Sequence, residues 1–117
     1  MADKFKLKRG DTWRIQYEFL QDNGTPVDLT DCTARQSIRK EDETTVALTI
    51  TSTDGEITIT PLTGVVVSVF TATDTADLDV AKYYTDLEIT YSDDSVESTP
   101  TYIIDCIQDE TVWLILS

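Results

Sequence analysis

The stretch TWRIQYEF at residues 12–19 alternates polar and apolar side chains without a break. In an extended chain, successive side chains point to opposite faces, so Trp13, Ile15, Tyr17 and Phe19 share one face. The residues between them, all polar or charged, share the other face. This alternation is typical of a half-buried strand in an antiparallel sheet, and it predicts a fold built from such strands.

The same period recurs along the chain, in segments separated by turn-forming residues. The further predicted strands are KFKLK, CTARQSIRK, VALTI, ITIT, VVVSVF, YYTDLEITY and TPTYIIDCIQ. VVVSVF is apolar on both faces, which favours a central position. One short helical turn is predicted near residues 73–78, with Thr73 as its cap and Asp74 and Asp77 near its positive end. The pattern predicts an all-β fold, an antiparallel β-sandwich of about eight or nine strands.

Residues 1–117 are expected to form a single domain, because a chain of this length buries one core. No apolar run is long enough for a membrane helix, and the first ten residues lack the apolar region of a secretory signal. We therefore expect a protein made in the cytoplasm, without a membrane partner.

The formal net charge of −13 is unevenly distributed. Residues 1–40 contain eight basic and six acidic side chains, whereas residues 41–117 contain Lys82 and sixteen acidic ones. A body this acidic is not expected to bind nucleic acid. Residues 1–8 are interpreted as a basic edge strand or arm. The candidate partner-binding residues of this region are Lys4, Lys6 and Lys8, together with the adjacent Arg9. One interpretation is an arm that lies on an acidic neighbour, and the other is a solvated acidic surface that aids solubility.

Arg9, Gly10 and Asp11 form the tripeptide of an adhesive loop. An adhesive tripeptide must protrude, but here Trp13 begins the buried alternation two residues later. We therefore interpret Gly10 and Asp11 as a structural bend between two strands.

No arrangement for catalysis or cofactor binding is present in the sequence. The chain has no histidine, its four glycines are isolated, and no serine lies in a nucleophile motif. The neighbouring carboxylates lie in turn-like segments without calcium-loop spacing. We expect a protein that is not an enzyme, with no cofactor, no metal and no small-molecule substrate. Cys32 and Cys106 are expected to be free thiols, with a disulfide as the open alternative.

The apolar tail at residues 111–117 has no polar face. Its candidate residues for partner binding are Val112, Trp113, Leu114, Ile115 and Leu116. Such a segment must be covered on both sides. It is either an innermost strand of the domain or a segment that reaches a neighbouring subunit.

The segment DVAKYYT resembles the D-x-(G/A)-x-Y-x-C frame of an immunoglobulin F strand. Asp79, Ala81 and Tyr83 occupy the frame, and Thr85 replaces the cysteine. The resemblance implies an immunoglobulin-like sandwich in which the Tyr83 hydroxyl bonds back to the backbone, and which lacks the inter-sheet disulfide.

Longer motifs resemble tailed-phage virion proteins, especially the N-terminal β-sandwich domain of phage baseplate upper proteins. They are GDT at residues 10–12, G-x-P-x-D-L-T at 24–30, T-A-R-x-x-I-R at 33–39, D-G-x-I-x-I at 54–59 and A-x-Y-x-x-D-L-E at 81–88. The resemblance implies a structural module of the virion, present in several copies. It would attach to other virion proteins and to copies of itself in a tail, baseplate or neck.

Two alternatives remain open from the sequence. The first is a capsid decoration protein that stabilises the phage head. The second is a free carbohydrate- or receptor-binding sandwich in which Trp13 and Trp113 would stack on a sugar, although Trp13 belongs to the inward-facing set.

Overall fold

The structure, a computed structural model, describes residues 4–41 and 45–108. Within those ranges the chain forms nine strands and one short helix. The strands are β1 (Lys4–Lys8), β2 (Trp13–Glu18), β3 (Thr33–Lys40), β4 (Val46–Thr51), β5 (Ile57–Thr60), β6 (Val65–Phe70), β7 (Ala81–Thr90), β8 (Val96–Ser98) and β9 (Tyr102–Ile107), and the helix α1 is Ala72–Ala76. The candidate residues of the apolar tail lie outside the described residues.

The strands form two sheets. The six-stranded sheet has the order β1-β9-β7-β3-β4, with β8 beside the far end of β7, and the three-stranded sheet has the order β2-β6-β5. In variable-type immunoglobulin domains one sheet contains strands G, F, C and C′, and the other contains B, E and D. The present order matches that arrangement, with β9, β7, β3 and β4 in the first sheet. The predicted immunoglobulin-like β-sandwich is confirmed.

One strand pair departs from the antiparallel prediction. β1 runs parallel to β9, with Lys4 opposite Ile103 and Lys8 opposite Ile107. The alternation of KFKLK reports only which side chains face inward, so it cannot show the direction of a neighbouring strand. The predicted edge position of β1 is correct, since β1 pairs with β9 alone among the described strands.

The inward faces of both sheets form one apolar core. Its largest fully buried side chains include Trp13, Phe70 and Tyr83. β6 lies between β2 and β5, as its two apolar faces predicted. The alternation of VALTI predicts that Val46 faces inward with Leu48 and Ile50. Val46 is instead 55% exposed, because it lies at the start of an edge strand beside a register shift between Ile38 and Arg39.

The helix begins earlier than predicted. Thr71, not Thr73, is the N-cap, and its hydroxyl accepts a hydrogen bond from the Asp74 backbone N–H at 3.2 Å. Asp74 lies in the first turn as expected, whereas Asp77 is the C-cap. Both threonines satisfy the cap preference, so composition alone could not separate them. No helix among the described residues is long and apolar enough to cross a membrane.

Candidate interaction surface

The bend between β1 and β2 is tied to the helix. Gly10 has a φ of +85°, which favours glycine. Its N–H donates to the Thr75 hydroxyl at 3.0 Å, and that hydroxyl donates to the Asp11 carbonyl at 2.6 Å. The Trp13 indole N–H donates to the Lys8 carbonyl at 2.7 Å. Gly10, Asp11 and Trp13 thus all take part in the hydrogen bonds of this bend.

Arg9 belongs to the same bend and not to a free arm. Its Nε donates to the Ala76 carbonyl at 3.1 Å, at the end of α1. The tripeptide of residues 9–11 is thereby fastened to the helix at two points. This geometry is that of a braced turn, whereas an adhesive loop must protrude freely.

Tyr83 forms the predicted tyrosine corner. Its hydroxyl donates to the Asp79 carbonyl at 3.0 Å and accepts from the Asp79 N–H at 2.9 Å. Burial of the ring raises the pKa of Tyr83 above its usual value. The hydroxyl therefore holds the start of β7 as a neutral group.

A buried polar cluster lies where an immunoglobulin domain has its inter-sheet disulfide. The Gln36 amide of β3 donates to the Thr85 hydroxyl at 2.8 Å and to the Tyr17 hydroxyl at 3.0 Å. Thr85 in turn donates to the Ser37 carbonyl at 2.8 Å. Because Tyr17 lies in the other sheet, these bonds link the two layers without a covalent bond. Burial raises the pKa of Tyr17 far above its usual value.

The outer face of the six-stranded sheet collects most of the basic side chains. Strand register places Lys6, Asp105 and Lys82 in one row across β1, β9 and β7. The side chains that share this face are Lys4, Lys6, Lys8, Arg35, Arg39 and Lys82, with Asp86, Glu88 and Asp105 as the acidic ones. Six positive and three negative charges give this face a net charge of +3, although the whole chain carries −13. We call it the basic face.

Each acidic side chain on the basic face lies beside a basic one. Lys4 Nζ is 3.5 Å from Asp105, Arg35 is 3.3 Å from Glu88, and Arg39 is 3.3 Å from Asp86. These pairs are partly exposed, so each contributes little to stability. Every carboxylate on this face thus has a nearby cation, and the side chains of Lys6 and Lys82 are exposed.

An apolar patch lies within the basic face. Tyr84 and Ile103 are opposite each other on β7 and β9, and both are half-buried. Arg39 continues this row on β3, and Lys4 continues it on β1. An apolar centre with a charged rim is the common layout of a protein–protein contact.

The predicted partner residues are thus only partly brought together. Lys4, Lys6 and Lys8 lie on the basic face, whereas Arg9 lies in the braced turn. Sequence reasoning missed Arg35 and Arg39, although both stand at outward positions of the predicted strand CTARQSIRK. It also missed Lys82, which directly precedes the predicted strand YYTDLEITY. Only the sheet order shows that β1, β7 and β3 present those positions on the same surface.

The carboxylates of two exposed turns are engaged locally. Asp28 accepts from the Thr30 N–H at 2.9 Å, and Asp93 accepts from the Ser95 N–H at 2.9 Å. Hydrogen bonds from the Thr30 and Ser95 side chains and backbone lower the pKa of Asp28 and of Asp93. Over the described ranges, no group of three or more metal-ligating side chains occurs.

No protein-family model matches the chain, and no curated protein matches it. Solved structures similar to it include extracellular domains 3–5 of Drosophila OTK, with 10% identity, a TM-score of 0.41 and 90% of this chain covered. The chain spans only 33% of that fragment. Murine CRIg is similar over 93% of this chain and 94% of its own, with 11% identity and a TM-score of 0.43.

Proposed function

We propose that this chain is a non-enzymatic structural module of a bacteriophage virion. In this proposal it is made in the host cytoplasm and docks in several copies onto other proteins of the tail, baseplate or neck. The sequence motifs of residues 10–12, 24–30, 33–39, 54–59 and 81–88 support the virion context. The observation that carries the docking role is the basic face, a positive sheet surface on an otherwise acidic molecule.

The charge distribution suits a repeated assembly. Many acidic residues lie in the connecting loops, among them Asp22, Asp54, Asp93 and Asp94. The basic face of one copy is therefore complementary to the loops of a neighbouring copy, or to another acidic virion protein. Complementary surfaces of this kind set partner choice and orientation more than raw affinity.

The free carbohydrate-binding alternative receives less support from the described residues. Trp13 is 2% exposed and bonded through its indole N–H, so its ring has no free face for a sugar. The capsid decoration alternative places the same docking module on the head. A density map of the particle that carries this protein distinguishes the two positions: copies at the tail, baseplate or neck are the expected result, and copies on the head lattice would overturn it.

A pair of charge-matched variants tests the docking surface. Lys6→Gln/Lys82→Gln removes two positive charges from the basic face, and Thr58→Glu/Thr60→Glu adds two negative charges to the outer face of the three-stranded sheet. Both change the net charge by −2, and all four positions are exposed. We expect only the lysine variant to reduce incorporation into particles, measured by quantitative mass spectrometry of purified virions. Equal incorporation of both variants into particles would contradict the proposal that the basic face is the docking surface.

A further inference from the structure

The outer edge of β2 has no strand partner among the described residues. β2 pairs with β6 on one side only. The Phe19 N–H donates to the Gly64 carbonyl at 2.8 Å, and this fixes which residues of β2 face β6. Because antiparallel hydrogen bonding alternates along a strand, the backbone groups of Arg14, Gln16 and Glu18 point away from β6. They form an open edge of the kind that accepts another strand.

An apolar groove runs beside this open edge. It has a volume of about 300 Å³ and lies between β2 and the β1–β9 edge of the other sheet. Phe5, Tyr102 and Tyr17 line it as a row of rings, with centroid distances of 5.6 Å and 6.0 Å. A second groove of about 410 Å³ continues it past Glu18 towards Pro100. An added strand at the β2 edge would thus have a backbone template and an apolar surface on one side.

The chain itself contains a segment with the matching chemistry. Val112 to Leu116 are five consecutive apolar residues, with β-branched and aromatic side chains at three of the positions. Strands that are apolar on both faces require cover on both faces. The segment is close in length to β2, which has six residues.

Chain length argues that the segment comes from another copy. The described chain ends at Gln108, directly after β9 of the six-stranded sheet. Stacked sheets lie about 10 Å apart, and the four Cα-to-Cα steps from Gln108 to Val112 span at most about 14 Å when fully extended. Residues 109–111 would have to cross to the other sheet and reverse direction within that span, which leaves only about 4 Å, or roughly one residue, for the turn.

We propose that residues 112–116 of a second copy add as a strand to the open edge of β2 and place alternate side chains in the aromatic groove. This contact goes beyond the docking role of the basic face and does not depend on the virion context. The main chain provides the attachment, and the groove selects large apolar side chains at every second position.

Disulfide trapping between two full-length chains tests this contact. In a Cys32→Ser background, one chain carries Gln16→Cys and the other, with a mass tag, carries Leu114→Cys. A parallel experiment uses Trp113→Cys, because neighbouring strand positions face opposite ways. The matched control replaces Gln16→Cys by Thr49→Cys, which is also exposed and lies on the edge strand β4.

We expect interchain disulfide with Gln16→Cys to exceed the Thr49→Cys control by about tenfold, because a bound segment has an effective concentration in the millimolar range. Equal yields for the two positions would overturn the proposal. A chain carrying both Gln16→Cys and Leu114→Cys is examined at high dilution. A disulfide formed only within that chain would show that the segment docks on its own domain, which also overturns the proposal.

A second readout is the oligomeric state of the full chain. Gln16→Pro removes one outward N–H from the β2 edge, and Thr49→Pro is the control at the β4 edge. Circular dichroism confirms that each variant folds. We expect light scattering to show fewer oligomers for Gln16→Pro alone, and unchanged oligomers would contradict the proposal. The variant Lys6→Gln/Lys82→Gln distinguishes this contact from the basic face. If it lowers incorporation into particles but leaves the yield of the Gln16→Cys/Leu114→Cys disulfide unchanged, the two contacts are independent.

Discussion

At the residue scale, the polar cluster of Tyr17, Gln36 and Thr85 stands in place of a disulfide. A buried polar group is favourable only when its hydrogen bonds are made. Gln36 uses its amide nitrogen for two bonds, but its Oε1 has no partner among the described atoms. The cluster links the sheets, but the buried Gln36 Oε1 without a hydrogen bond lowers the stability of the fold, which an apolar pair would not do.

The cluster therefore predicts strong coupling between Gln36 and Thr85. Thr85→Val should lower the free energy of unfolding by about 1–3 kcal/mol, because it leaves a buried Gln36 amide hydrogen without that acceptor. Gln36→Leu/Thr85→Val should recover most of this loss, since it removes both buried polar partners. Urea denaturation of the single and double variants measures the coupling. Strictly additive effects would show that the two side chains do not act as a pair.

Tyr83 gives a second prediction at this scale. Tyr83→Phe removes the bonds to both backbone groups of Asp79, and we expect a loss of about 1–2 kcal/mol in the free energy of unfolding. Tyr84→Phe is the matched control, because the neighbouring hydroxyl lies on the outer face. It should change stability by less than about 0.5 kcal/mol. Equal effects of the two changes in thermal or urea unfolding would argue against a role for the corner.

The sequence predicts the roles of some residues better than those of others. The hydrogen bond of the Tyr83 hydroxyl to the backbone is predictable, because it follows from a local sequence frame that begins at Asp79. Alternation along CTARQSIRK predicts that Gln36 faces inward with Ala34 and Ile38. Its hydrogen-bond partners, however, come from β2 and β7, 19 and 49 positions away. No local pattern carries that information.

At the element scale, α1 acts as a brace for the bend before β2. Thr75 is fully buried, and its hydroxyl bonds both the Gly10 N–H and the Asp11 carbonyl. Thr75→Val should lower the free energy of unfolding by about 1–3 kcal/mol, because it leaves these groups without their partner. Thr75→Ser retains the hydroxyl and should cost less. Hydrogen exchange of the Gly10 amide checks the local effect, and unchanged protection in Thr75→Val would contradict it.

Elements were predictable where alternation was strong. Eight of the nine described strands fall in predicted segments that alternate or are apolar on both faces, and β6 lies at a sheet centre as predicted. The exception is β8, because SDDSVES is typical of a turn and does not predict a strand. The parallel pairing of β1 with β9 was not predictable, because alternation gives the facing of side chains and says nothing of neighbours. The basic face was missed for the same reason, since its rows cross strands far apart in sequence.

At the scale of the whole molecule, the two cysteines lie far apart. Cys106 is opposite Ala81 at one end of β7, and Cys32 precedes Thr33, which is opposite Thr90 at the other end. Nine residues of strand separate those positions, or about 30 Å. Disulfide formation needs Cα atoms within about 7 Å. Both thiols are free, as the sequence predicts.

This separation predicts a domain whose stability does not depend on redox conditions. Dithiothreitol should leave its melting temperature unchanged, unlike that of a disulfide-linked immunoglobulin domain. Burial raises the pKa of both thiols above the usual value, so both react slowly at neutral pH. Cys32 is partly exposed and should react with a thiol reagent in the folded state, whereas the buried Cys106 should react only as the chain unfolds. A mass lower by two hydrogens in the folded protein would reveal a disulfide, and a single reaction phase would show that both thiols are equally accessible. Either result would contradict the inference that hydrogen bonds and packing alone hold the two sheets together.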